Sequence, residues 1–356
     1  MQRGCFAFVL LAGLLVAPAF AQSPPAPPPA AAKPEPPLRR WFEIQQFTVF
    51  SRYRFAENSR HVRTSSQLQY KDSFRARVNL DRQKRYTVNV GYFSGSAFNG
   101  SWNNLGLGNN TLFDGKNHYV KQFYGAAAPI KGLEFQYGGL YINRGESDES
   151  VTYDDDGYLV GERVSIRRPK ELYLDELTVT RAAIGPMATP RLASRWGGLK
   201  RPDYTQVLGV KRFGPMVSGS LEYNRQIGAD ILRAAVTLHF SAKAPVSTVR
   251  YEQYRRFNLN AASGFAVWAD RPVTTHARLQ GGYATVDEFY GAWNADRMQS
   301  GRRVFASATI AIYGPVSGTV YVTQALGAPY ALAVHRRLDA AISYDVLNTL
   351  RRTGMF

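Results

Sequence analysis

The sequence predicts an all-β fold: a transmembrane antiparallel barrel of about 16 strands, with short periplasmic turns and long outer loops. Three observations carry this. Long segments alternate apolar and polar residues with a period of two. Beyond residue 21, no window of about 18 apolar residues occurs that could cross a bilayer as a helix. A closed barrel is the other way to satisfy every backbone group in lipid.

The N-terminal stretch predicts export. Arg3 precedes an apolar run from Cys5 to Val16, and Ala19-Phe20-Ala21 gives the small-x-small pattern of a cleavage site. Residues 1–21 therefore read as a signal peptide of the Sec pathway. Residues 22–37, QSPPAPPPAAAKPEPP, read as a proline-rich periplasmic leader, and 38–356 as the barrel. Cys5 is the one cysteine, so a mature chain starting at Gln22 has no thiol for catalysis, disulfides or metal.

Charge points to partners. The formal charge is +17; removing Arg3 with the signal peptide leaves 43 basic against 27 acidic residues, or +16. An exported chain with no basic helix or zinc-finger spacing is not expected to bind nucleic acid. A basic lumen that favours small anionic solutes accounts better for the excess. The 21 Tyr, 20 Phe and 5 Trp suit aromatic girdles at the two faces of an outer membrane, whose lipid is the first expected partner.

The clearest strand is Gln67 to Asp81. Leu68, Tyr70, Phe74, Ala76, Val78 and Leu80 share one face; Gln67, Gln69, Lys71, Ser73, Arg75, Arg77, Asn79 and Asp81 share the other. Soluble strands average about 5–6 residues, so this length favours a barrel. Asp72 interrupts the apolar face at mid-strand, and the pattern offers no reason for it. The alternation recurs at Tyr86–Tyr92, Leu232–Ser241 and Val304–Tyr313.

Tight connections are expected at Arg82-Gln83-Lys84, Ala128-Pro129, Gly185-Pro186, Gly214-Pro215, Ala244-Pro245, Arg271-Pro272 and Gly314-Pro315, where proline fixes φ and cannot donate to a ladder. Long polar connections are expected at 96–116, 145–170, 197–203 and 287–301. Residues 38–356 then divide into about 16 strands, with about 14 to 18 as the range. The weakly alternating stretches 188–196 and 262–270 set the lower bound.

No catalytic constellation stands out. His61, His118, His239, His276 and His335 show no metal-ligand spacing and no nucleophile elbow, and no enzyme activity or cofactor is expected. Asp154-Asp155-Asp156-Gly157 lacks the alternating ligands of a calcium loop and reads as a solvated acidic segment. The charges carry more information. Arg52 and Arg54 share one face, as do Lys71, Arg75 and Arg77 on the next strand, with Arg233 and Arg278 further round; these are the predicted pore-lining residues. Connection 145–170, third on the outer side, carries Glu146, Asp148, Glu149, Asp154, Asp155, Asp156 and Glu162.

In this arrangement, 41–346 resembles the bacterial porins of about 16 strands, whose third outer loop folds into the channel and sets acidic groups against a basic wall. The resemblance implies passive diffusion of small hydrophilic solutes with an anion preference. It leaves two alternatives for 145–170, a constriction loop in the channel or a loop standing in solvent, and leaves open whether the barrel forms a homotrimer. Phe356 resembles the terminal aromatic residue by which such barrels are delivered to the barrel-assembly machinery. Phe74-Arg75-Ala76-Arg77-Val78 also resembles strand starts in the alginate-export type of barrel, which implies a channel for acidic polysaccharide. A structural, envelope-anchoring barrel is the third expectation.

Overall fold

The computed structural model describes residues 40–95, 100–108, 117–147, 157–167, 173–184, 192–241, 244–287, 300–327 and 334–353. The expected signal peptide and leader, Asp148, Glu149, Asp154, Asp155, Asp156 and Phe356 lie outside them.

The first strands are β1 (Phe42–Asn58), β2 (Arg63–Asn79), β3 (Tyr86–Ser94), β4 (Asn103–Gly108) and β5 (His118–Ile130). Next come β6 (Leu133–Tyr141), β7 (Tyr158–Ile166), β8 (Glu176–Ala183), β9 (Tyr204–Phe213) and β10 (Val217–Gln226). Then follow β11 (Ala229–His239), β12 (Thr248–Arg256), β13 (Ala262–Pro272) and β14 (Ala277–Val286). The last are β15 (Gly301–Tyr313), β16 (Val316–Ala325) and β17 (Val334–Asp345), after which Val346–Arg352 forms helix α1.

Apart from β4, each strand pairs antiparallel with the strands next to it in the wall, β3 with β5 included, and β17 pairs with β1, so the sheet closes on itself. β3 pairs with β2 over Ser73–Asn79, and β4 pairs with β2 over Gln67–Tyr70. The two therefore share one place in the wall, and 17 strands fill 16 positions. An even count is what allows the first and last strands to meet antiparallel. Closure leaves no edge unpaired, as a bilayer interior demands.

The period of two sorts each strand into an inward and an outward face. On β2 the odd positions Gln67, Gln69, Ser73 and Asn79 are buried and polar, while Val78 on the other parity is exposed. Outward residues elsewhere include Leu221, Leu279, Ile310 and Ile342, each close to half exposed. An apolar exposed surface this extensive marks a face that meets lipid. No helix among the described residues is long and apolar enough to cross a membrane.

Connections segregate by end. At one end the turns are 80–85, 131–132, 167–175, 214–216, 240–247, 273–276 and 314–315; at the other lie 59–62, 109–117, 142–157, 184–203, 227–228, 257–261, 287–300 and 326–333. Three sequence expectations need correction. The stretch 96–116 is not one connection, since β4 (Asn103–Gly108) lies inside it. The stretch 145–170 is not one connection: β7 runs through it, so an outer connection ends at 157 and a short-turn connection begins at 167. Glu162 caused the misreading, because a charge on the outward face of β7 masks the alternation of Val160, Val164 and Ile166. The expected turn at Gly185-Pro186 lies outside the described residues, and Leu192–Lys200 forms a 3-10 helix over the described part of the weak strand expected at 188–196. The stretch 262–270, by contrast, is a full strand, β13.

Asp72 also finds its reason. Its carboxylate lies 2.9 Å from His118 Nε2 on β5, and the Tyr92 ring of β3 stacks on His118 at 5.7 Å. The pair spans three strands on the outward face, which no local pattern reveals.

Candidate functional site: a basic wall facing an inward-folded hairpin

β17, β1 and β2 carry the predicted basic residues into the interior. Arg52 and Arg54 are two apart on β1 and so share the inward face; Arg337 and Asp339 do the same on β17. Cross-strand pairing sets Arg54 opposite Asp339. The Asp339 carboxylate gathers three guanidinium groups: Arg337 Nη2 at 2.6 Å, Arg54 Nε at 3.0 Å and Arg52 Nη1 at 3.5 Å. Arg52 also donates through Nε and Nη2 to Gln69 Oε1, at 3.0 and 2.5 Å. Its guanidinium lies 3.7 Å from the centroid of the Trp102 ring, and Lys71 Nζ stands 6.0 Å from the same ring.

Lower on β2, Arg75 sits 5.2 Å from the Phe93 ring, and Arg77 Nε donates to Asn89 Oδ1 at 3.1 Å. Glu43 is 4.0 Å from Arg77. The inward faces of β17, β1 and β2 thus set Arg52, Arg54, Lys71, Arg75, Arg77 and Arg337 against two carboxylates, Asp339 and Glu43. One-sided charge on a water-lined wall concentrates counter-ions of the opposite sign.

The other two predicted residues sit apart from this cluster. Arg233 on β11 faces inward but is buried to 1% exposure, 4.0 Å from Glu222 and near the Tyr254 ring. Arg278, at the short-turn end of β14, is bound by Asp270. Neither belongs to the wall around Asp339.

Sequence reasoning missed a second feature, the bend of the β6–β7 hairpin. Gly138 has φ +135°, and a Cβ there would lie 2.3 Å from the Phe123 carbonyl oxygen, so only glycine fits. Beyond it the hairpin leaves the wall for the interior. The Tyr158 ring reaches 5.5 Å from Phe93 and from Lys121 Nζ. Asn143 Nδ2 donates to Glu176 Oε1 at 3.0 Å, and its carbonyl accepts from Gln206 Nε2 at 2.7 Å. Glu146 accepts from Ser218 Oγ at 2.8 Å, while its backbone N–H donates to Ser220 Oγ at 3.1 Å. Glu176, Gln206, Ser218 and Ser220 all face inward, on β8, β9 and β10. Leu140, Leu159 and Val160 are fully buried because both faces of the bent hairpin are covered.

The 3-10 helix Leu192–Lys200 covers the outward side. Leu192 fills the space over Gly139, and Trp196 stands 5.7 Å from Tyr137. Burial inside this cover pushes the Arg195 guanidinium down to about 9. Counted round the barrel, β10 is the ninth position and β1 the first, eight apart in 16. Glu146 is therefore held on the wall opposite the arginines. Glu162, expected in the same acidic loop, instead faces outward from β7, 3.5 Å from Arg181. Among the described residues, no group of His, Cys, Asp and Glu could hold a metal ion.

No protein-family profile matches the sequence, and no curated protein matches it. Solved structures do match. OmpF of Salmonella typhi, in a complex with daunomycin, superposes with a TM-score of 0.58 at 10% identity, over 85% of this chain and 97% of that one. A triple mutant of Rhodopseudomonas blastica porin gives 0.54 at 10% identity, over 85% and 99%. A structure described as "Asymmetric conductivity of engineered proteins" gives 0.55 at 11% identity, over 85% and 100%. The chain has the closed 16-strand fold of the porins.

Proposed function

We propose that the protein is a passive channel of the outer membrane for small hydrophilic solutes, and that it prefers anions. The observation that supports this best is the cationic cluster on the inward faces of β17, β1 and β2, gathered around Asp339 and Glu43. In this reading Arg52, Arg54, Lys71, Arg75 and Arg77 form the selective wall. The inward-folded β6–β7 hairpin narrows the passage from the other side, with Glu146 as its acidic group. No chemical step is involved: the wall raises the local concentration of anions, and salt screens the effect over about 10 Å at 0.1 M.

The test is single-channel conductance of refolded protein in a planar bilayer under a salt gradient. Discrete steps with an anion-biased reversal potential are expected. Replacing Lys71, Arg75 and Arg77 together by glutamate is expected to move that potential towards cations. A folded barrel that conducts nothing, or a triple variant with unchanged selectivity, would overturn the reading.

Trp102, packed against Arg52 and close to Lys71, favours a second reading. An aromatic face beside cations suits a sugar acid, so the channel would be dedicated to acidic polysaccharide. Block of conductance by acidic oligosaccharide at low concentration would select this reading. Export through the Sec pathway, delivery through Phe356 and homotrimeric assembly belong to the same proposal. Cleavage after Ala21, insertion of a chain lacking Phe356, and particle mass in mild detergent test them in turn.

A further inference from the structure

From β8 round to β17 the outward face is mainly apolar through its middle and changes chemistry at its outer end. Arg181 of β8 pairs across the sheet with Thr205 of β9, which pairs with Arg225 of β10. Arg255 of β12 stands opposite Leu232 and Ser263, Arg302 of β15 opposite Thr285, and Arg336 of β17 opposite Gln324. All five arginines are exposed and sit at the long-connection end of their strands. Two residues further down the same face come Val179, Tyr223, Gln253, Val304 and Leu338; Phe265 and Tyr283 fill the strands between. The arginines thus form a belt along the upper border of the apolar band.

Carboxylates touch part of the belt loosely: Glu162 at 3.5 Å from Arg181, Asp230 at 3.9 Å from Arg225, and Glu57 at 3.6 Å from Arg336. Those spacings exceed the usual 2.7–2.9 Å of a charge-assisted hydrogen bond. A guanidinium carries five N–H donors, so one such contact does not saturate it. The belt is also one-sided. On β4, β5 and β6 the outward residues towards the outer end, Leu105, Val120 and Tyr137, are uncharged, while next to Arg336 the seam carries Glu57 on β1, itself opposite Arg63 on β2.

We propose that this belt binds phosphorylated lipid headgroups in the leaflet around the outer rim. Its height is where acyl chains give way to headgroups, and the guanidinium fork matches phosphate oxygens two at a time. Lipid phosphate is thereby gathered along β8–β17 and not along β4–β6. The proposal needs the barrel to span a membrane but does not depend on conduction.

The experiment uses the full chain refolded into phosphatidylcholine vesicles, with and without phosphatidic acid, and follows the thermal midpoint of the barrel. Phosphatidic acid is expected to raise the midpoint, and added salt to shrink that rise. R181Q/R225Q/R255Q/R302Q/R336Q is expected to match the native midpoint in pure phosphatidylcholine and to lose most of the rise. R271Q, which removes an outward arginine at the opposite end of β13, is expected to keep it. If the five-fold variant does not fold, the pairs R181Q/R225Q and R302Q/R336Q should each lose part of the rise. A full rise in every variant, no rise in the native protein, or an equal rise from inorganic phosphate in pure phosphatidylcholine would overturn the proposal. Conductance in a neutral bilayer, unchanged in the variants, separates this result from failure of the channel reading.

Discussion

Two arcs of the interior are built from the same alternation and differ in how their inward residues pack. On β17, β1 and β2 the inward residues are arginines, a lysine, glutamine and asparagine around Asp339. On β11 to β16 they include Ala229, Ile231, Tyr254, Ala262, Ala266, Trp268, Ala284, Val286, Phe305 and Tyr321, a buried cluster. Trp268 and Phe305 lie 6.4 Å apart and Phe305 and Tyr321 6.5 Å, within the range of favourable ring pairing. An inward face is thus not the same thing as a wet face. One arc has the character of a channel wall, and the other packs an apolar cluster away from water beside buried polar groups such as Arg233, Glu252 and Arg303.

If that division holds, damage to each arc should read out differently. The largest effect is expected from Trp268→Ala, which empties a well-packed site and should cost about 3–5 kcal/mol of barrel stability while leaving the reversal potential in place. Equilibrium unfolding in urea checks the first part and the salt-gradient measurement the second; a large selectivity change would erase the distinction between the arcs. Next comes Asp339→Asn. Removing the shared carboxylate from three arginines should cost about 3 kcal/mol, because charges are left without their partner, and should strengthen anion preference. The smallest effect is expected from Glu146→Gln on the hairpin. Its hydrogen bond to Ser218 survives in weakened form, so stability should move by less than about 1 kcal/mol. Anion preference should rise modestly, and a fall would mean that Glu146 does not face the conducting path.

The arcs also mark how far the sequence could be read. Strict alternation on Gln67–Asp81 and the turns at Gly214-Pro215 and Gly314-Pro315 are local signals, and they led to a barrel of 16 positions. The grouping of Arg52 with Arg54, and of Lys71 with Arg75 and Arg77, follows from the same period. What alternation cannot carry is contact across the barrel. Arg233 reads as another lumen cation, but its burial against Glu222 depends on how the neighbouring strand is set. Arg337 and Asp339 pass unnoticed until the last strand is laid beside the first. The bend at Gly138 is invisible too, because a glycine in a strand reads the same whether it turns the chain inward or merely lacks a side chain. Glu162 misled for the opposite reason: its partner Arg181 lies on the next strand, so alone it looked like loop sequence.

The seam between β1 and β17 has a kinetic side. Arg52 and Asp339 are 287 residues apart, and as the ends of the chain come together the arginines of β1 and β17 approach one another as like charges. Joining such distant segments carries a large loop-closure cost, and long-range pairings of this kind slow folding. Asp339 turns the repulsion into attraction only when Arg54 stands opposite it, since a slip of one residue would send its carboxylate to the other face. The carboxylate at the centre of the basic wall therefore also acts as the key that fixes the register in which the barrel shuts, and a chain without it should close late and in more than one alignment.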